Sequence, residues 1–98
     1  MSEGFDKAVA KLRARLEGAD VEHSYRITVE DEGSILVAEG ALQDTDDGRA
    51  VDASISADLD TFRALFDGEI APAAAFMTGR LSVEGDMGAA MALGGVLG

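Results

Sequence analysis

The chain has 98 residues, of which 47% are hydrophobic and 28% charged, and 19 acidic against 8 basic side chains give a formal net charge of −11. One core is expected at this length, the apolar content is too high for a disordered segment, and the charge argues against nucleic-acid phosphates and anionic membranes as partners. The absence of cysteine excludes disulfides, thiolate chemistry and cysteine zinc sites.

The N-terminus lacks the continuous apolar run of a secretory signal. Instead Phe5, Val9, Leu12 and Leu16 recur at helical spacing, with Lys7, Lys11, Arg13 and Arg15 on the other faces. This predicts an amphipathic helix stopped by Gly18. Its basic residues read as a solvated face rather than a membrane- or partner-binding one, because Glu3, Asp6 and Glu17 offset part of their charge.

From His23 the period changes to two. Tyr25, Ile27 and Val29 alternate with Arg26, Thr28 and Glu30, and Asp31-Glu32-Gly33 turns the chain into a second strand from Ser34 to Leu42, so a β-hairpin is predicted. In that second strand Ile35 and Val37 point one way and Leu36, Ala38 and Gly40 the other, leaving both faces partly apolar. Residues 43–49 read as a polar loop. A third strand follows, with Val51, Ala53, Ile55 and Ala57 alternating against Asp52, Ser54, Ser56 and Asp58, which predicts one wet and one covered sheet face.

Asp58, Asp60 and Thr61 are helix-starting residues, and Leu59, Phe62, Leu65 and Phe66 then repeat at helical spacing up to a stop at Gly68. Pro72 suits the first turn of a short helix through Phe76 and Met77, broken by Gly79. Arg80 to Glu84 returns to the sheet, with Leu81 and Val83 on one face, and Gly85 closes it. Asp86 caps a last helix containing Met87, Ala90, Met91, Leu93 and Leu97, in which Gly88, Gly94 and Gly95 each cost about 1 kcal/mol relative to alanine. The most apolar stretch, Met87 to Gly98, is about 12 residues and cannot span a bilayer that needs roughly 20.

The order of Phe62, Leu65, Gly68, Pro72, the Ala75-Phe76 pair, Gly79, Arg80, Leu81, Gly85, Met87, Gly88, Met91 and Leu93 resembles the sterol carrier protein 2 (SCP2) family of lipid-binding domains. The motif-level likeness covers residues 58–93, and the first two strands match in pattern only. It implies an α+β fold of order α-β-β-β-α-α-β-α in one domain, residues 1–98. A mainly antiparallel, four- to five-stranded sheet is covered on one face by helices, with an apolar tunnel between the layers. A further short strand is expected near residues 41–44. The resemblance departs from the family in lacking a Ser-Lys-Leu-type peroxisomal terminus and in having Ala92 where many relatives carry lysine; a cytoplasmic location is expected.

No catalytic, metal or cofactor constellation stands out. The run from Asp44 to Gly48 fails the spacing of an EF-hand loop, since Arg49 and Ile55 fall where glycine and a bidentate carboxylate are needed. His23 is the lone histidine, no serine lies in a nucleophile elbow, and the glycines from Gly85 to Gly95 match no phosphate loop. What remains is the apolar set Leu65, Phe66, Ile70, Phe76, Met77, Leu81, Val83, Met87, Met91 and Leu97. On composition alone these make an ordinary core. Two features favour a cavity: adaptable methionines, and a last helix of alanine and glycine that leaves room beside the sheet. With the resemblance, the set is read as the binding site of a hydrophobic lipid (a fatty acyl chain, acyl-CoA, sterol-like or isoprenoid molecule) in a non-catalytic carrier without stable membrane insertion. The alternative is an interaction module with a filled core, working as a homodimer or docked on a partner enzyme.

Overall fold

The computed structural model describes residues 3–19, 21–43 and 47–97. The chain forms α1 (Glu3–Glu17), β1 (Tyr25–Val29), β2 (Gly33–Ala38), β3 (Ala41–Leu42), β4 (Ala53–Ala57), α2 (Leu59–Phe66), α3 (Pro72–Met77), β5 (Ser82–Gly85) and α4 (Met87–Leu97). The predicted order of elements holds, and the extra short strand is β3; Asp44, the far end of the range expected for it, lies outside the described residues. The third predicted strand begins at Ala53 rather than Val51, and the last at Ser82 rather than Arg80.

The five strands lie in the order β3-β2-β1-β4-β5. All neighbours are antiparallel except β1 and β4, which run parallel from Tyr25↔Ala53 to Val29↔Ala57. Glu39 and Gly40 both have positive φ, 56° and 79°, the conformation that a two-residue hairpin loop needs to match strand twist, and they join β2 to β3. A parallel pair cannot be closed by a tight turn, so the chain after β3 must cross the sheet to reach the far side of β1. Arg26, on the face away from the helices, donates to the carbonyl oxygen of Arg49 at 2.8 Å, which ties the crossing segment to that face. On the same face Leu36 and Ala38 also point away from the helices, yet they are only 1% and 3% exposed. Of the acidic run that fails as a calcium loop, residues 44–46 lie outside the described residues, and the carboxylate of Asp47 is gripped by Arg49 through Nε at 3.0 Å and Nη2 at 2.7 Å.

The opposite face carries the core. Alternation turns Tyr25, Ile27 and Val29 of β1 and Ala53, Ile55 and Ala57 of β4 to one side, where all six are buried. Against them pack Phe5, Leu12 and Leu16 from the stripe of α1, with Phe62, Leu65 and Phe66 from α2 and Ala89, Ala90 and Leu93 from α4. Val9, the fourth residue of the α1 stripe, is half-buried at the edge of this layer. Gly85 is required where β5 ends: its φ is +95°, and a Cβ there would lie 2.6 Å from the carbonyl oxygen of Asp52. That same oxygen accepts the N–H of Asp86 at 2.8 Å, fixing the start of α4 against the start of β4.

Candidate functional site

The chain places an apolar cleft where α3 and α4 meet over β4 and β5. Its floor is Ile55, Leu81 and Val83, one wall is Pro72 and Phe76 from α3, and the other is Met87, Ala90, Met91 and Gly94 from α4. None of these nine residues has a polar side chain. The helices approach closely at one point, since a Cβ on Gly94 would stand 3.2 Å from Cβ of Pro72. The cleft is nearly closed, with a volume of about 20 Å³. It opens to the surface through large apolar side chains, with Phe76 42%, Met87 45% and Met91 57% exposed. Leaving three such groups in water is unfavourable, and methionine adapts readily to a new neighbour.

Five of the ten candidate residues, Phe76, Leu81, Val83, Met87 and Met91, come together here. Leu65 lies in the central core with no exposure, and Phe66 packs between α1 and α2 on the other flank of the helical layer. Ile70 is half-buried at the margin of the core. Met77 is 84% exposed and faces away from the cleft, because one residue beyond Phe76 on a helix is a turn of about 100°. The side chain of Leu97 is outside the described residues. Four further lining residues, Ile55, Pro72, Ala90 and Gly94, lie outside the candidate set. Ile55 was visible as the dry face of a strand, Pro72 as a helix start, Ala90 as a core residue of the last helix and Gly94 as a cost to it. What joins them is the packing of α3 on α4, which no spacing along the chain encodes.

Polar groups fasten α4 from its other side. The Tyr25 hydroxyl donates to the carbonyl oxygen of Ala89 at 2.6 Å. Burial, helped by the carboxylates of Asp52 and Asp86, pushes the Tyr25 phenol above its ordinary range. The Asp52 carboxylate accepts the Ser24 N–H at 2.9 Å and stands 3.4 Å from Nδ1 of His23. The Ser24 N–H, followed by His23, holds that carboxyl below the usual range. Asp86 caps α4 by accepting the Ala89 N–H at 3.1 Å, as its position before the last helix predicts. A hollow of about 100 Å³ lies between the segment Val21–His23 and the C-terminal half of α4. Another, of about 60 Å³, lies between α1 and α2. Among the described residues no group of three histidine, aspartate or glutamate side chains converges as a metal site. No helix among them is long and apolar enough to cross a membrane.

The profile of the SCP-2 sterol transfer family matches residues 4–98. Among solved structures, the fold is similar to sterol carrier protein 2 like 2 of Aedes aegypti, with a TM-score of 0.81 at 15% identity over 95% of each chain. It is also similar to the Aedes aegypti sterol carrier protein 2 in complex with the C16 fatty acid palmitate, with a TM-score of 0.76 at 24% identity over 99% of this chain and 96% of that one. A third likeness is to the UbiJ-SCP2 ubiquinone synthesis protein, with a TM-score of 0.62 at 19% identity over 98% of this chain and 75% of that one. No curated protein matches the chain in sequence.

Proposed function

From the premise that the chain belongs to the SCP-2 sterol transfer family, we propose that it is a non-catalytic carrier that binds a hydrophobic lipid between its sheet and helices, beginning at the cleft of α3 and α4. The observation that carries this reading is the chemistry of that cleft: nine lining residues, none of them polar, and two half-exposed methionines on a helix without a charged residue. Palmitate in the Aedes aegypti relative supports a single acyl chain as the first ligand class to test.

The volume of about 20 Å³ defines how such a ligand must enter. Ligand pockets are commonly about 300 to 1,000 Å³, so binding requires α4 to move away from α3 and β5. The hinge for that movement is the Asp86 cap, and the glycines of α4 lower the cost of bending it. Enclosing about 400 Å² of acyl surface at roughly 25 cal/mol/Å² provides about 10 kcal/mol before the costs of ordering, association and opening the layer are subtracted. Residues 1–98 act as one domain in this reading, and the net charge of −11 suits a carrier that stays dispersed in the cytoplasm.

A second reading, an accessory module that presents lipid to a partner enzyme or acts as a homodimer, draws support from the fold's likeness to the UbiJ-SCP2 ubiquinone synthesis protein. Native mass spectrometry of protein expressed without detergent separates the two, followed by titration with fatty acids of increasing length. Retained lipid and affinity that rises with chain length support the carrier. Lipid-free protein indifferent to every chain length overturns it in favour of the module.

A further inference from the structure

The clefts on the two flanks of the helical layer are joined by one row of side chains. Ile35 of β2 is opposite Ile27 of β1, Ile27 is opposite Ile55 of β4, and Ile55 is opposite Val83 of β5. Four β-branched residues therefore cross the sheet on its core face, over three strand spacings or about 14 Å. At the Val83 end the row forms the floor of the cleft between α3 and α4. At the Ile35 end it underlies a narrow apolar hollow whose walls include Ala8 and Phe66.

Ala8 and Phe66 also line the next hollow outward, about 60 Å³ in volume, and there the chemistry changes. Lys7 and Lys11, one helical turn apart on α1, meet Arg63 of α2 around it. Arg63 reaches toward α1, with Nη2 3.5 Å from where a Cβ on Gly4 would stand. Three of the eight basic residues of a chain with a net charge of −11 thus surround a space of oxyanion size above an apolar slot. Each has a carboxylate nearby, but at the long distances of 3.5 Å for Lys7 with Glu3, 3.4 Å for Lys11 with Asp67 and 3.5 Å for Arg63 with Asp60. All six side chains are well exposed, so these pairs contribute little and an incoming anion can replace them.

We propose that Lys7, Lys11 and Arg63 hold the anionic head of a single-chain amphiphile whose tail passes between Ala8 and Phe66 and along the Ile35–Ile27–Ile55–Val83 row toward the cleft of α3 and α4. The proposal rests on the lipid-binding reading and adds to it a ligand polarity and a direction of binding. Guanidinium and ammonium groups recognise carboxylate and phosphate alike, so the head is defined as an oxyanion. Three strand spacings correspond to a medium-length acyl chain, and a neutral alcohol of the same length lacks the head contact.

The test is a two-dimensional NMR titration of the whole chain with dodecanoate, dodecan-1-ol, acetate and inorganic phosphate, repeated on the double variant Lys11→Gln/Arg63→Gln and on Lys7→Gln. Dodecanoate is expected to shift amides at both Ala8 and Phe66 and at Ala90 and Met91, and to bind at least tenfold more tightly than the alcohol. The double variant is expected to bring the two affinities together, with Lys7→Gln in between. Equal affinity for acid and alcohol, with shifts confined to Ala90 and Met91, overturns the head site and leaves the carrier reading standing. Acetate or phosphate shifting the amides of α1 and α2 as strongly as dodecanoate also overturns it, in favour of a site for free anions. Binding of neither chain overturns both readings.

Discussion

The Tyr25 hydroxyl and the Ala89 carbonyl oxygen, 64 residues apart, meet at 2.6 Å in a buried hydrogen bond that joins β1 to the first turn of α4. In the proposed carrier this bond opposes the opening of α4. Tyr25→Phe keeps the ring and removes the bond, and is expected to cost about 1 kcal/mol in urea unfolding and to speed lipid uptake in stopped-flow mixing. Because burial raises the phenol in the folded chain, the stability it contributes is complete below the ordinary tyrosine range. It is lost as pH rises through the raised value, and Tyr25→Phe removes that alkaline loss.

Asp58 starts α2 by accepting the Thr61 N–H at 2.8 Å. Thr61, with help from Arg80, holds its carboxyl below the usual range. The hydroxyl completes no hydrogen bond of good geometry, so the N–H contact is the cap itself. A carboxyl lowered on folding adds stability above its unfolded pKa and loses it as pH falls through the folded value. Asp58→Ala is therefore expected to cost about 1 kcal/mol at neutral pH. Urea midpoints in acid should show the gap between variant and parent closing.

In the cleft, Phe76→Asp and Met91→Asp place a carboxylate against apolar walls, and an acyl chain covering it leaves the charge unpaired. Both are expected to weaken binding of a fluorescent fatty acid at least tenfold while preserving the fold, since both side chains are substantially exposed. Met77→Asp, one residue away and facing solvent, is expected to bind as the parent does. Circular dichroism and the same titration check all three.

The glycines of α4 differ in what surrounds them. A Cβ on Gly95 meets nothing within 4 Å, whereas one on Gly94 presses on Pro72. Gly95→Ala is expected to stabilise the helix by up to about 1 kcal/mol and to slow lipid exchange, because a stiffer α4 opens less often. Hydrogen exchange along α4 and lipid off-rates measure the two effects.

The strands and helices were legible because each has a face in water and a face in the core: Tyr25, Ile27 and Val29, or Phe5, Leu12 and Leu16, declare their period directly. β3 is only two residues long, too short for any period, and its expected position came from family likeness alone. Leu36 alternates onto the face away from the helices, and its burial there is not legible from a strand with both faces partly apolar. Half of the ten candidate site residues meet in one cleft, since apolar character marks burial without saying which flank of the layer a side chain joins. The lysines of α1 face solvent as their sequence suggested, whereas the approach of Arg63 from α2 to Lys7 and Lys11 is not legible in the spacing of α1.

The parallel pairing of β1 with β4 also has a kinetic consequence. β1, β2 and β3 zip together through tight turns, but Ser24 and Asp52, 28 residues apart, are joined only after the chain has been carried over the hairpin. Closing that loop costs entropy before any contact repays it. The docking of β4 is thus the expected barrier in folding, and β5 and α4, which pack on β4, assemble after it. Until then Ile55 stays exposed, and the unfinished edge of β1 is the surface most open to mispairing between chains.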